Sequence, residues 1–544
     1  MAVTTGSTRP RPPLPAGRLR EQLDLVRLAP TLFALVNGLA FVLVRPDVND
    51  LWAARARASA VEHGVGLTYW FSWFGGGTTP GNYSVLTPYT SAFVGTEVLG
   101  ALSAVAATAL ATLAVRDTRF PLAAAWVAAI GAAMNTWSGR VPFLFGSAFA
   151  IGALLAVRAR RTVPAVALTV VGILASPVSG AFICLGLSGT FLTTRTRGYR
   201  PVIAWTAGAA LVSLIGVAVL FGNPGPEPYS IGQLVEAGLG LLWLWYFSRP
   251  VDHINTTTAV SVLTLLVLFA VPNGMGSNIN RFVYFCLPVV ALATSTRRLR
   301  VAVLAVLPAV IMGTVGTAID LVNASRPVSS VGYYKSLADR LGKIGDLKQY
   351  RVEVVNHGAH AGYDALLDTA LLARGWETQE DNALNGSLLQ KNLDAVTYKV
   401  WLDNNAVGYV ALPSSAVQSY PEFTLVQRHR PKYLHRIWSN ADWQLFQVRP
   451  ATPIVARPAS VVGHDQKSMT IRVPCACTVA VRVRWSKFLT ATQQVAGRKP
   501  GRLVDAVPRV LARVADDGSG WTTVSTKQSG TYVLRGSLRG GLLH

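Results

Sequence analysis

Asp47 and Asp50 stand three residues apart, just after the first long apolar run, in a half of the chain that holds few acids. On a helical turn they would share a face. Carboxylates in that position could act as a general base on a hydroxyl, or hold a divalent cation through oxygen ligands. Glu62 and His63 follow, then the run Tyr69-Trp70-Phe71-Ser72-Trp73-Phe74-Gly75-Gly76-Gly77. Four later turns repeat this mixture of backbone breakers and hydrogen-bonding side chains. They hold Asn135, Trp137 and Arg140; Ser176 to Gly180; Glu227 within a Pro-rich stretch; and Asn278, Asn280 and Arg281. A guanidinium offers phosphate a fork of N–H donors and would stabilise a phosphate leaving group, which makes Arg140 and Arg281 candidate anion-binding groups. Glu62, His63, Trp73, Asn135, Trp137, Glu227, Asn278 and Asn280 are candidate substrate contacts beside them.

These residues need elements to hold them, and the composition says which. Of 544 residues, 51% are hydrophobic and 14% charged, against about 25% charged in ordinary soluble proteins. The formal charge of +23 is unevenly founded. Up to Ala324 there are 22 arginines, no lysine and 11 acids; all ten lysines lie at or beyond Lys335. The chain therefore reads as a membrane part followed by a water-soluble part.

A span needs about 20 mostly apolar residues. Eleven candidates start near Leu28, Ser91, Phe120, Val141, Val163, Val178, Pro201, Ile231, Thr256, Phe282 and Val301. With the N-terminus in the cytoplasm, 17 of the 22 arginines fall on inner segments, as short cytoplasmic loops require. The outer five are Arg45, Arg55, Arg57, Arg140 and Arg281. An odd number of spans puts the soluble part outside. Residues 1–27 form a basic cytoplasmic tail suited to an anionic inner leaflet, not a cleavable leader, and nothing calls for nucleic acid. Forty arginines against ten lysines fit a GC-rich bacterial coding sequence, hence a bacterial plasma membrane.

The expected organisation is a helical polytopic domain over 28–324, an extracytoplasmic α/β subdomain over 325–450 and a β-sandwich-like subdomain over 451–544. The first outer loop, 45–90, is long for a compact domain. Leu51 to Val61 would form a short interfacial helix, and the aromatic-glycine run would lie at headgroup level or dip inward. Non-helical backbone at membrane depth is tolerated where it lines a cavity, so several such turns on one side imply a shared outer pocket.

In the soluble part, 351–355, 407–412 and 443–448 read as strands, and Tyr363 to Ala373 as a helix ending at Gly375. Beyond Ala451, short strands cover 460–462, 469–473, 478–485, 521–526 and 531–534. Cys184 and Cys286 fall in spans as core residues. Cys475 and Cys477 would face one side of a strand, as free thiols or an oxidised pair. Zinc spacing, a Walker A loop, a dinucleotide fingerprint and a nucleophile elbow are all lacking, so no nucleotide cofactor is expected.

A first span ending at acids, a long first outer loop, many spans and an outer C-terminal domain together resemble the GT-C class of membrane glycosyltransferases. That class includes the arabinofuranosyl- and mannosyltransferases of actinobacterial envelopes. The resemblance implies a polyprenyl-phosphate sugar as donor, an envelope glycan or lipid as acceptor, and a first-loop carboxylate as base. Asp47 would be that base and Asp50 its partner, although the class usually carries adjacent acids where this chain has Asp-x-x-Asp. The chain also resembles uncharacterised actinobacterial multipass proteins, through Trp73-Phe74-Gly75-Gly76-Gly77, Ser138-Gly139-Arg140-Val141, Gly276 to Arg281 and Leu371 to Trp376. Two other classes stay open. One is a non-catalytic envelope-assembly protein; the other is a transporter or flippase of lipid-linked precursors, which would want ionisable groups along the middle of its spans.

Overall fold

The computed structural model describes residues 16–222, 224–248, 252–494 and 511–542. The basic stretch Arg9 to Arg11 lies outside them. The N-terminal region is mostly helical: α1 (Ala16–Val44), α2 (Asn49–Glu62), α3 (Pro80–Tyr83), α4 (Thr87–Val94), α5 (Thr96–Val115), α6 (Pro121–Trp137) and α7 (Val141–Arg158) come first. They are followed by α8 (Thr162–Ala175), α9 (Pro177–Leu192), α10 (Arg200–Phe221), α11 (Ile231–Ser248), α12 (Asp252–Ala270), α13 (Leu287–Thr294) and α14 (Leu299–Ala324). Proline punctuates this chain where helices begin. Pro121, Pro142, Pro177 and Pro201 all occupy the first turn, where the missing N–H costs nothing.

A helix occupies each of the eleven positions expected from hydropathy, but their lengths differ. Among the described residues five helical segments are long and apolar enough to cross a membrane by length and composition: Arg27–Val44, Thr96–Val115, Val141–Arg158, Arg197–Phe221 and Leu299–Ala324. The helices α8 and α9 are shorter, because Ser176 and Pro177 break the run between them. At 1.5 Å per residue the 14 residues of α8 reach only about 21 Å. Large apolar side chains point outward from the helical region, among them Leu43, Val212, Val219 and Leu263. That outward belt, with backbone polar groups satisfied inside helices, is the character of a membrane protein.

The C-terminal region is sheet-rich. The strands β1 (Arg351–Val354), β2 (Val407–Pro413), β3 (Leu434–Ser439) and β4 (Trp443–Val448) form a sheet in the order β1-β2-β4-β3. Only the β1–β2 pair is parallel. Around this sheet lie α15 (Lys335–Leu341), α16 (Gly362–Ala365), α17 (Thr378–Asn385) and α18 (Ala395–Asn404). The helix expected from Tyr363 to Ala373 stops at Ala365. Beyond it Leu372 bridges Val352 and donates its N–H to Ser72 O, so the backbone is claimed by sheet-like pairing.

The last seven strands are β5 (Ser460–His464), β6 (Ser468–Val473), β7 (Thr478–Arg484), β8 (Leu489–Gln493), β9 (Leu511–Asp516), β10 (Trp521–Ser525) and β11 (Gly530–Gly536). They make one antiparallel sheet, order β5-β6-β11-β8-β9-β10-β7, rather than the two sheets of a sandwich. Val455, just before β5, bridges Val481 on β7. The two ends of the sheet are thus drawn together, and it curls around a single core that includes Met469, Ile471, Val481 and Leu534. Cys475 and Cys477 form a disulfide in the β6–β7 turn, not on a strand.

The first long loop joins the two regions. Its aromatic-glycine run does not lie at a lipid surface. Trp70, Trp73 and Phe74 are buried in one core with Trp52 of α2 and with Tyr334, Val352 and Trp443 of the C-terminal region. Trp73 Nε1 donates to Tyr363 O at 2.9 Å, and Phe71 N donates to Gln466 O at 3.0 Å. The helix expected at an interface is α2, and it too is largely buried. Burial follows from the sequence: four Trp and Phe rings within five residues contribute more apolar area than a surface loop can leave in water.

Candidate functional site

Asp50 sits in the first turn of α2, and two close approaches fix its surroundings. Gly139, at φ +75°, ends the α6–α7 corner with no room for a side chain: a Cβ there would lie 2.6 Å from Leu51 N and 2.9 Å from Val48 Cγ2. The corner can therefore press onto the start of α2 and set Arg140 beside Asp50. Gly276, at φ +42°, approaches Glu227 in the same way, with a Cβ falling 2.4 Å from Glu227 O. That contact, with Glu227 N donating to Asn273 O at 2.8 Å, ties the loop after α10 to the loop before Arg281.

The result is a cavity of about 420 Å³ at the junction of the helical and C-terminal regions. Asn49, Asp50, Arg57, Asn82, Tyr83, Arg140, Glu227, Asn278, Arg281 and Asp320 line it from the helical side. Trp376, Glu377, Thr378 and Gln379 line it from the C-terminal region, at the start of α17. Arg140 Nε stands 3.6 Å from Asp50 Oδ2, and Arg281 Nη2 stands 3.9 Å from the same oxygen. Arg140 Nη2 is 3.8 Å from Asp320 Oδ2. All three separations exceed a hydrogen bond, and Arg140 Nε is buried with no acceptor among the described residues.

A second cavity of about 420 Å³ adjoins the first. It runs among helices α5, α6, α7, α9 and α13, lined by residues such as Ala107, Leu144, Ile183 and Val290. Phe143 lines both cavities. The Arg281 guanidinium carbon lies 5.7 Å from the Phe143 ring centre, and that of Arg140 lies 6.0 Å from Phe285, which lines the apolar cavity. The two arginines therefore line the polar cavity beside rings that also line the apolar one.

Of the residues singled out by sequence, Asp50, Arg140, Glu227, Asn278 and Arg281 come together here. The others do not. Asp47 lies in the non-helical link before α2, so it shares no helical face with Asp50. Its carboxylate is 3.9 Å from Arg55, which in turn bonds Glu97 at 2.6 Å, and it does not line the cavity. Glu62 and His63 are exposed at the far end of α2, where His63 lies 3.6 Å from Asp368. Trp73 is a core ring, tilted by 35° against Trp70 with centres 4.2 Å apart. Trp137 packs on Phe41 and donates to Asn37 Oδ1 at 3.3 Å. Asn135 lines the apolar cavity, with its Nδ2 donating back to Gly131 O. Asn280 accepts from Tyr229 Oη at 3.1 Å and donates to Gln233 O, which holds the backbone beside Arg281.

Electrostatics sort the remaining carboxylates. Glu377, 2% exposed, meets Arg57, 3% exposed, at 2.5 Å, and the Arg57 guanidinium lies over Tyr83 at 3.9 Å. Burial raises the Glu377 carboxyl, and Arg57 opposes that rise. Burial likewise pushes Glu380 up to about 8, with Glu377 adding to the effect. Glu227 is pushed up to about 7 by burial, opposed by the Ser277 hydroxyl at 3.3 Å and by Arg281. Asp47 is also raised by burial, against Arg55.

Sequence reasoning named neither Arg57 and Glu377 as a pair nor Tyr83, Trp376 and Gln379 as lining residues. Arg57 carried a signal, as one of five arginines on the outer segments. Trp376 carried a weaker one, in the stretch Leu371 to Trp376. Among the described residues no group of three His, Cys, Asp or Glu side chains is placed to hold a metal ion, and the charge of Asp50 is met by two guanidinia. No known family model and no curated protein matches the chain.

Proposed function

We propose that this protein is a membrane glycosyltransferase that takes its sugar from a polyprenyl phosphate and passes it to an envelope glycan or lipid at the outer face of a bacterial plasma membrane. In this reading the chain crosses the bilayer eleven times, with the N-terminus inside and the C-terminal region outside. Supporting that orientation is the gathering of 17 arginines on one set of connections.

One observation carries the functional reading: Arg140 and Arg281 stand at the meeting of a polar and an apolar cavity, with Arg140 Nε unpartnered. An amphiphile with an anionic head and a long hydrocarbon tail matches that junction. The head would take the guanidinium donors and the tail would pass Phe143 into the apolar cavity. Departure of the phosphate would leave charge beside two cations held in a partly desolvated site. Asp50 would hold the guanidinia apart and oriented. The acceptor would enter from the C-terminal side, past Trp376 and Gln379.

The experiment is transfer by the full chain in lipid nanodiscs. The donors are polyprenyl-phosphate arabinofuranose and polyprenyl-phosphate mannose, the acceptors alkyl glycosides. Wild type is expected to make product with one donor, and the double variant Arg140→Gln/Arg281→Gln to make none. Binding of both donors with neither transfer nor hydrolysis would reject the enzyme in favour of a carrier or assembly role.

A further inference from the structure

The structure assigns proton transfer in this cavity to Glu227, an inference that rests on the glycosyl-transfer reading above. It follows from what each cavity carboxylate already does. Asp50 faces Arg140 and Arg281 on one oxygen, Asp320 faces Arg140, and Glu377 is closed in an ion pair with Arg57. Each of these three carboxylates serves as counter-charge to a guanidinium, and protonating it would leave that cation without its partner. Asp47 does not line the chamber. Among the described residues, Glu227 is the one cavity carboxylate with no ion pair within 4 Å. Its Oε1 accepts from Ser277 Oγ at 3.3 Å, and Oε2 is left for another donor.

Its position is also built. Asn273 O takes its N–H, and Gly276 lets the neighbouring loop close against its backbone and side chain. On the C-terminal side, Gly225 packs against the Gln379 backbone. The charged groups that face it are Arg281 from the adjoining loop, Asp50 from α2 and Glu377 from the residue before α17. Arg281 favours the carboxylate, while the two acids and burial favour the carboxyl; together they leave Glu227 titrating at about 7, where a general base works best.

The step balances without a further reactant. The acceptor hydroxyl oxygen forms a bond to the anomeric carbon, and its proton passes to Glu227 Oε2. The bond from the anomeric carbon to the phosphate oxygen breaks, and its electron pair leaves with the phosphate toward Arg140 and Arg281. Glu227 then returns the proton to water.

The test pairs donor binding with turnover across pH 5 to 9, for wild type and Glu227→Gln in nanodiscs. Wild-type turnover should rise as pH passes through about 7, because the base must be ionised. Glu227→Gln should bind the donor as wild type does, lose turnover by about 100-fold or more, and lose that rise. If it keeps the wild-type rate and the rise, the assignment is overturned and glycosyl transfer stands. Loss of donor binding would make Glu227 a binding group and also overturn it. Absence of transfer by wild type with either donor overturns both readings. Should Glu227→Gln fail to fold, Glu227→Asp decides: slower turnover with the rise moved to lower pH supports the assignment, and an unchanged rate rejects it.

Discussion

Arg140 Nε lies 3.6 Å from Asp50 Oδ2, near enough to feel its charge and too far to bond it. An N–H buried without an acceptor costs about 1–3 kcal/mol, so the site gains when an anionic oxygen arrives. A lysine at this position would keep the charge and lose the fork. Arg140→Lys should therefore weaken a polyprenyl phosphate by roughly tenfold, the equivalent of about 1.4 kcal/mol. Titration calorimetry in nanodiscs would show it, and an unchanged Kd would remove Arg140 from the phosphate site.

Gly186 lines the apolar cavity, and a Cβ added there meets nothing within 4 Å. Gly186→Leu should fill part of that cavity without strain and favour the helix besides. The expected outcome is selective: affinity for long-chain prenyl phosphates falls at least several-fold, while a short alkyl phosphate binds as before. Equal losses for both would mean that the tail lies elsewhere.

Asp47 is the residue that position in the sequence favours as base, and the structure sets it against Arg55, away from the cavity lining. Asp47→Asn should leave transfer within a few-fold of wild type. A loss of about 100-fold with intact donor binding, the effect of removing a general base, would return it to that role.

The helical region was legible because a hydropathy run needs no distant partner to be recognised. A helix stands at each of the eleven expected positions, and the two on either side of the expected Ser176-Pro177 turn have 14 and 16 residues. The site was half legible. Scarcity of arginine on one side marked Arg140, Arg281 and Arg57, since a charge in an apolar region must be held by something. What failed was register. Whether Asp47 or Asp50 faces inward depends on where α2 begins, and Val48 as its N-cap is settled by Gly139 packing on Leu51 from another part of the chain. Trp73 misled for a related reason. An aromatic-glycine run suits a membrane surface, but the apolar side chains of Tyr334, Val352 and Trp443 that cover it come from hundreds of residues away.

Arg57 and Glu377 are a buried pair joining the first long loop to α17. Removing one member strands the other's charge, at a cost of about 3–5 kcal/mol. Glu377→Gln should lower the Tm markedly, and Arg57→Leu/Glu377→Leu should regain much of the loss. A single variant as stable as wild type would show that the pair contributes little to holding the two regions together.

The central claim is that the two arginines recognise a phosphate whose hydrocarbon tail enters the helical region. The most direct measurement compares the binding of a polyprenyl phosphate with that of the same polyprenol lacking phosphate, for wild type and for Arg140→Gln/Arg281→Gln. The account predicts that wild type prefers the phosphate by at least 100-fold, about 2.7 kcal/mol, and that the double variant binds both alike and weakly. Equal affinity of wild type for the two lipids, or an undiminished preference in the double variant, would contradict it.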